Sequence, residues 1–263
     1  MPSAPFFTQE SVHLLAGLRK NNDREWFQRN KSRIDDFLIA PARQLVLDVG
    51  RNLGQMAEGL VADPRLDRSI YRLHRDTRFS KDKRPYKEHL GLIWWQDLPE
   101  GKLSSPCFYF HLTPDGFLWS AGCYRFTPPL LAAFRRAVVD PESGPAFKFI
   151  AAGLRSRGLE FNPPDLKRNP PGFSGQPWAG EWLRRKGVYT WSDWLPISDS
   201  TILGPRAAGY LSRSFADALP IHIWLKSLFE RHGRQGEEGG QGARPSPGGG
   251  RPAGKVSLPE DDF

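Results

Sequence analysis

Residues 65–87 read RLDRSIYRLHRDTRFSKDKRPYK, with nine Lys or Arg against three Asp and a local charge of +6. Guanidinium forks bind carboxylate or phosphate bidentately, and ammonium groups add point charges beside them. A stretch of this kind is suited to holding an anion. It is not a plain polybasic run, because Tyr71, Phe79 and Tyr86 are interleaved with the charges and Asp76 and Asp82 sit among them. An extended path from Tyr71 to Phe79 would put Arg72, His74, Asp76 and Arg78 on one face. Asp76 would then hold one arginine in place while another stays available to an outside anion. Ser80-Lys81-Asp82-Lys83 reads as a polar turn. Arg84-Pro85-Tyr86 resumes an extended path, since proline disfavours helix before it. His74 and His89 flank the run and could act as acid or base, although a surface or core-satisfied histidine is the plainer reading of each. Asp76 or Asp82 could serve as a general base, although the role of arginine partner is the plainer one for each. Two readings carry equal weight: a cleft for an anion, and an internal Arg–Asp network that ties loops to the domain.

Other chemistry has no pattern to stand on. The chain has no GxxxxGK[ST] or GxGxxG phosphate loop, no HExxH and no GxSxG elbow. Its six histidines are scattered, and no His/Cys spacing points to a metal. Neither metal nor cofactor is expected, and whether the protein catalyses anything is left open. Cys107 and Cys123 lie sixteen apart with no CxxC, and read as buried thiols of a reduced, cytoplasmic chain. The nine tryptophans read as core or pocket wall. Aromatics beside cations also suit the stacking of bases, so single-stranded nucleic acid is the runner-up ligand.

The elements that must position these residues follow from periodicity. Thr8 is placed to cap a helix carrying Val12, Leu14, Leu15 and Leu18, which Asn21-Asn22 stops. Asn22 and Glu25 have the spacing of a capping box. The next helix shows Trp26, Phe27, Ile34, Phe37 and Leu38 on one stripe. Pro41 opens another, with Leu45, Val49, Leu53 and Met56. Cys107–Leu112 and Phe117–Tyr124 read as a hairpin closed by Thr113-Pro114-Asp115-Gly116. Helices are expected after Pro128-Pro129, from Pro145 to Arg155, briefly near Trp178–Lys186, and over about 205–230 with a break at Pro220. Helices flanking a mainly antiparallel sheet make an α+β fold.

The 263 residues carry 37 Lys and Arg against 29 Asp and Glu, a net charge of +8. Such a surface favours anionic partners. No apolar run approaches the roughly 18 residues needed to span a bilayer, and the N-terminus lacks the pattern of a secretory signal. Residues 233–263 hold 9 Gly and 4 Pro with few apolar side chains. They read as a disordered tail ending in Glu260, Asp261 and Asp262, after a single domain over residues 1–232. The oligomeric state is not legible.

Three motifs together resemble the domain-of-unknown-function family 2461. The run from Arg72 through Arg75-Asp76-Thr77-Arg78-Phe79-Ser80-Lys81-Asp82-Lys83-Arg84-Pro85-Tyr86-Lys87 is similar to that family's signature. Asn21-Asn22-Asp23-Arg24-Glu25-Trp26-Phe27 with Asn30-Lys31, and Leu166-Lys167-Arg168-Asn169-Pro170-Pro171-Gly172-Phe173 with Pro177, Leu183 and Lys186, agree with its other two elements. Gln176 departs from the pattern, standing where the family often has His. The resemblance spans roughly residues 6–230. It implies a shared fold and a shared basic site, and carries no activity or cofactor. The expected composite site gathers Arg24, Arg72, Arg75, Arg78, Lys83, Lys87, Lys167 and Arg168 as cations, with Asn21, Asn22, Asp76, Ser80, Asp82 and Tyr86 as polar partners. Its expected ligand is a small phosphate- or carboxylate-bearing anion. The alternatives are single-stranded nucleic acid, or no ligand at all in a structural or interaction module.

Overall fold

The computed structural model describes residues 6–78, 80–173, 177–197 and 201–238, with only the backbone path for 233–238. The expected α+β class is what it shows. Strands β1 (Leu60–Val61), β2 (Leu90–Gln96), β3 (Cys107–Leu112), β4 (Gly116–Cys123), β5 (Glu160–Phe161), β6 (Val188–Trp191) and β7 (Leu195–Pro196) form one sheet. Its order is β1-β2-β3-β4-β6-β5, with β7 also on β4, and every pairing is antiparallel. The expected hairpin is its centre. Thr113 Oγ1 accepts from the amides of Asp115 and Gly116 at the turn, both at 3.2 Å.

Helices α1 (Gln9–Lys20), α2 (Arg24–Arg29), α3 (Lys31–Ile34) and α4 (Ala40–Gly54) lead into the sheet. Asp23, not Asn22, caps α2, its carboxylate accepting from the Trp26 amide at 2.8 Å. Asn22 is engaged elsewhere, as described below. The single helix expected over Trp26–Leu38 is broken at Asn30, and Asp35–Ile39 widens to a π turn that runs on into α4. Pro41 has no N–H to give to the Phe37 carbonyl one turn back. That carbonyl is satisfied by the Ser11 hydroxyl of α1 instead. Trp26 lies on Gly17 of α1, where even a methyl group would collide with its ring. Met56 falls beyond α4 and is exposed, outside the stripe expected for it.

The remaining helices are α5 (Pro128–Val139), α6 (Ser143–Ser156), α7 (Gly180–Leu183), α8 (Ala207–Asp217) and α9 (Leu219–Glu238). The break between α8 and α9 falls at Ala218, beside Pro220 as expected. Helix α9 continues past residue 232, where composition puts the start of the tail, and residues 239–263 lie outside the described residues. So do Phe79 and Gln176.

The two faces of the sheet differ. Leu92, Trp94, Phe108, Phe110, Phe117, Trp119, Cys123 and Val188 belong to the main core, with Val46 and Val49 of α4 and Phe215 of α8 among the partners. Ile93, Trp95, Cys107, Tyr109, Leu118, Tyr189 and Trp191 alternate with them on the opposite face. This second cluster is built from strands plus Tyr71, with Val61 and Tyr124 packed against it.

Candidate functional site

The basic segment runs along the β2 edge and then doubles back. Tyr71 donates its amide to Gly91, and Ile70 bridges Leu92. Beyond that, His74 faces Tyr86, with Arg75 N–H to Pro85 O at 2.8 Å and Lys87 N–H to Leu73 O at 2.7 Å. The extended path therefore holds through Arg75. At Asp76 the chain turns, so Arg72 and Arg78 do not share one long strand face as the sequence alone had it.

The reason for the turn is an Asp-x-Arg hook used three times. Asp76 accepts the Arg78 amide at 3.1 Å and grips the Arg78 guanidinium from Nε and from Nη2. Asp82 does the same to Arg84, and Asp63 to Arg65. Asp82 also receives Arg75 at 2.9 Å, and Arg84 reaches Glu88. The Arg78 hydrogen bonds hold the Asp76 carboxyl down at about 2. Those from Arg84 push Asp82 further below the usual carboxylate range. Lys83 donates to Thr77 O at 2.9 Å, across the same tip that contains Ser80. Arg75, Arg78 and Lys83 are thus used to shape the hairpin.

The first motif does meet the second. The Asn22 side-chain amide pairs with both backbone groups of Tyr86, donating to its carbonyl at 3.0 Å and accepting from its N–H at 2.9 Å. Phe27 stacks on Tyr86 at 4.2 Å, and His74 closes on both rings. Burial, then the nearby Arg72 and Arg24 charges, lowers the His74 pKa. Arg72 lies 3.7 Å from Asp67, and both are exposed. Asn21 turns back to α1, donating to Gly17 O.

The third motif is elsewhere. Asn162, next after β5, donates its amide to Tyr189 O on β6, which places the chain leading to Lys167 at the sheet corner diagonal to the hairpin. Leu166 and Lys167 are tied there to Arg184, and both Lys167 and Arg168 are exposed. The sequence expectation that they converge with Arg78 is corrected: strands β3, β4 and β6 intervene.

Lys87 is the predicted residue in the most unusual position. It is 6% exposed, on the strand-built face, with its ammonium 5.2 Å from the centre of the Tyr71 ring. Lys102, from the loop before β3, sits 4.4 Å from the same ring and donates to Asp67 O and Arg68 O. Arg68 lies over Trp95 at 5.4 Å. Tyr71 meets Tyr109 edge-on at 6.3 Å, and the Tyr109 hydroxyl is 2.9 Å from His111 Nδ1. The His89 and His111 rings are 4.3 Å apart. Tyr109, His111 and Lys102 escaped sequence reasoning. Alternation in CFYFHL would mark Tyr109 and His111 as sharing a face, but both faces are buried and the six residues read as one apolar run.

Other reactive side chains are enclosed. Burial pushes the Cys107 thiol up to about 12 and Cys123 well above its ordinary value. No group of three or more His, Cys, Asp or Glu placed to hold a metal occurs among the described residues.

A family model described as conserved hypothetical protein (DUF2461) matches residues 10–224. The chain belongs to this family. The match takes in the Asn22–Phe27 motif, the hairpin and the strand-built face of this DUF2461 chain. No curated protein matches it, and no solved structure does. Among its described residues no helix is long and apolar enough to cross a membrane.

Proposed function

We propose that this DUF2461 chain binds a small phosphate- or carboxylate-bearing anion at the Lys87–Lys102 corner of the strand-built face. Residues 1–232 act as one binding unit in the cytoplasm. One observation carries the reading: two ammonium groups, one of them buried, converge on the Tyr71 ring beside the His89–His111 pair. An anion drawn to this corner of the face would be attracted by both ammonium groups. Arg24 and Arg72 add positive field at the neighbouring corner. The hairpin arginines take the architectural role, since their forks are filled by Asp76 and Asp82.

Burial argues against the nucleic-acid reading. A stacking platform for single strands offers ring faces to solvent, whereas Tyr109, Trp95 and Trp191 are buried. Titration calorimetry with inorganic phosphate, ribose 5-phosphate and a short oligonucleotide tests the proposal. The two small anions should release or absorb heat with a saturable profile, and Lys87→Met should weaken them at least tenfold while Arg78→Ala leaves them unchanged. Absence of a signal for both, or an indifferent Lys87→Met, overturns it.

A further inference from the structure

Helix α6 buries one side and leaves the opposite side bare. Phe147, Ala151 and Leu154 face inward. Phe147 meets Phe134 of α5, Trp182 of α7 and Trp224 of α9, at 5.6, 4.8 and 4.7 Å between ring centres. Phe149 lies on the other side and is 81% exposed, the most exposed large apolar side chain among the described residues. The helix positions that surround it, three and four residues to either side, hold Pro145, Ala146, Ala152 and Gly153, all exposed. A solvated helix face normally carries charged and polar side chains, whereas this one is an aromatic knob ringed by small apolar residues. Gly153 has no reason within one chain. Its φ is not positive, and a Cβ there would meet no described heavy atom within 4 Å. Glycine inside a helix is destabilising relative to alanine.

We infer that α6 is the contact between two copies of this chain, paired antiparallel about a two-fold axis. Knob and hollow lie one turn apart on the same side of the helix, so the surface is complementary to itself. Phe149 of each copy enters the hollow at Ala152 and Gly153 of the other, as knobs enter holes in paired helices. The two-fold supplies every contact twice. Charge agrees with the antiparallel sense. Asp140 and Glu142 stand at the start of α6, Arg155 and Arg157 at its end, and all four are exposed. Glu142 has no ion pair among the described residues, and the Arg157–Asp217 pair leaves both side chains more than half exposed. An antiparallel partner sets each acidic end beside a basic end, and a parallel one would set like ends together. The helix has 14 residues, a length of about 21 Å. A contact of that length falls at the low end of specific interfaces, so the dimer should dissociate on dilution. Phe147, Ala151 and Leu154 belong to the main core, so this contact lies across the sheet from the Lys87–Lys102 corner and is independent of the anion proposal.

Sedimentation velocity of the full chain, over a hundredfold range of concentration up to several hundred micromolar, tests the inference. The mean mass should rise from one chain towards two. Phe149→Glu should hold the chain monomeric throughout with its melting temperature unchanged. Gly153→Leu fills the hollow and should weaken association at least tenfold, while the monomer becomes no less stable, since leucine favours helix. Glu142→Arg should weaken association several-fold, and Arg157→Glu added to the same chain should restore it. A monomer at every concentration overturns the inference, and is the result expected if a different protein covers this surface. A dimer that survives Phe149→Glu, or a double charge reversal that fails to restore association, overturns it as well.

Discussion

A buried charge is tolerated only when its hydrogen bonds and counter-charge are supplied, and Arg185 shows the structural version of that rule. It is 3% exposed, donates to Asn162 O at 2.6 Å and Glu181 O at 2.7 Å, and stacks over Trp182. Desolvation lowers its pKa to about 10. Arg185→Met leaves Asn162 O and the Glu181 carboxylate without this donor, so a loss of about 3 kcal/mol is expected in urea unfolding. His222 is a second case. It is fully buried, stacked on Phe108 and 3.2 Å from Gln96 Oε1, and burial lowers its pKa to about 3. The unfolded chain takes up a proton at this residue near pH 6.5, and the folded chain does not until about pH 3. Stability from this group is therefore complete above 6.5 and falls as pH drops towards 3, by up to about 1.4 kcal/mol per pH unit. Urea titrations of the native chain and of His222→Met should show that acid slope reduced in the variant. Arg78→Ala, by contrast, removes an exposed pair and should leave the melting temperature unmoved.

Among the elements, the hairpin depends on a side chain that imitates a strand. Asn22 gives Tyr86 both hydrogen bonds that a neighbouring peptide group would give. Asn22→Ala should cost about 1–2 kcal/mol and speed amide exchange over residues 84–88 while β3 and β4 stay protected. Much of this layer was legible in the sequence. The hairpin at Thr113–Gly116, the helix after Pro128-Pro129 and the break near Pro220 follow from local steric rules, and local rules survive folding. The cap at Asp23 is hidden in the sequence because Asn22 has the cap-box spacing, and only a partner 64 residues away reveals its other use. The π turn at Asp35–Ile39 likewise depends on Ser11, on a different helix. Lys87 was legible as a charge in a motif, but its burial was not, since that depends on which face of β2 it continues. Lys102 sits in a loop of no marked composition and gains its meaning only from Tyr71 across the fold.

For the molecule as a whole, the sheet sets which charges can cooperate. Residues that share a family motif need not share a site: the Lys167–Arg168 pair stands at one corner and the hairpin at the diagonal one. Substituting both with Ala should leave anion affinity within twofold of the unmodified chain, and a larger loss by calorimetry would contradict the placement of the ligand. The two Asp-x-Arg forks of the hairpin, Asp76–Arg78 and Asp82–Arg84, have a further consequence. Each joins groups two residues apart, so closing the ring costs little chain entropy. The bend at the hairpin tip is thereby available to the chain before distant strands have met. A peptide carrying only those dozen residues should keep its curvature in solution, which makes the tip a portable module and leaves the core to fix where it points.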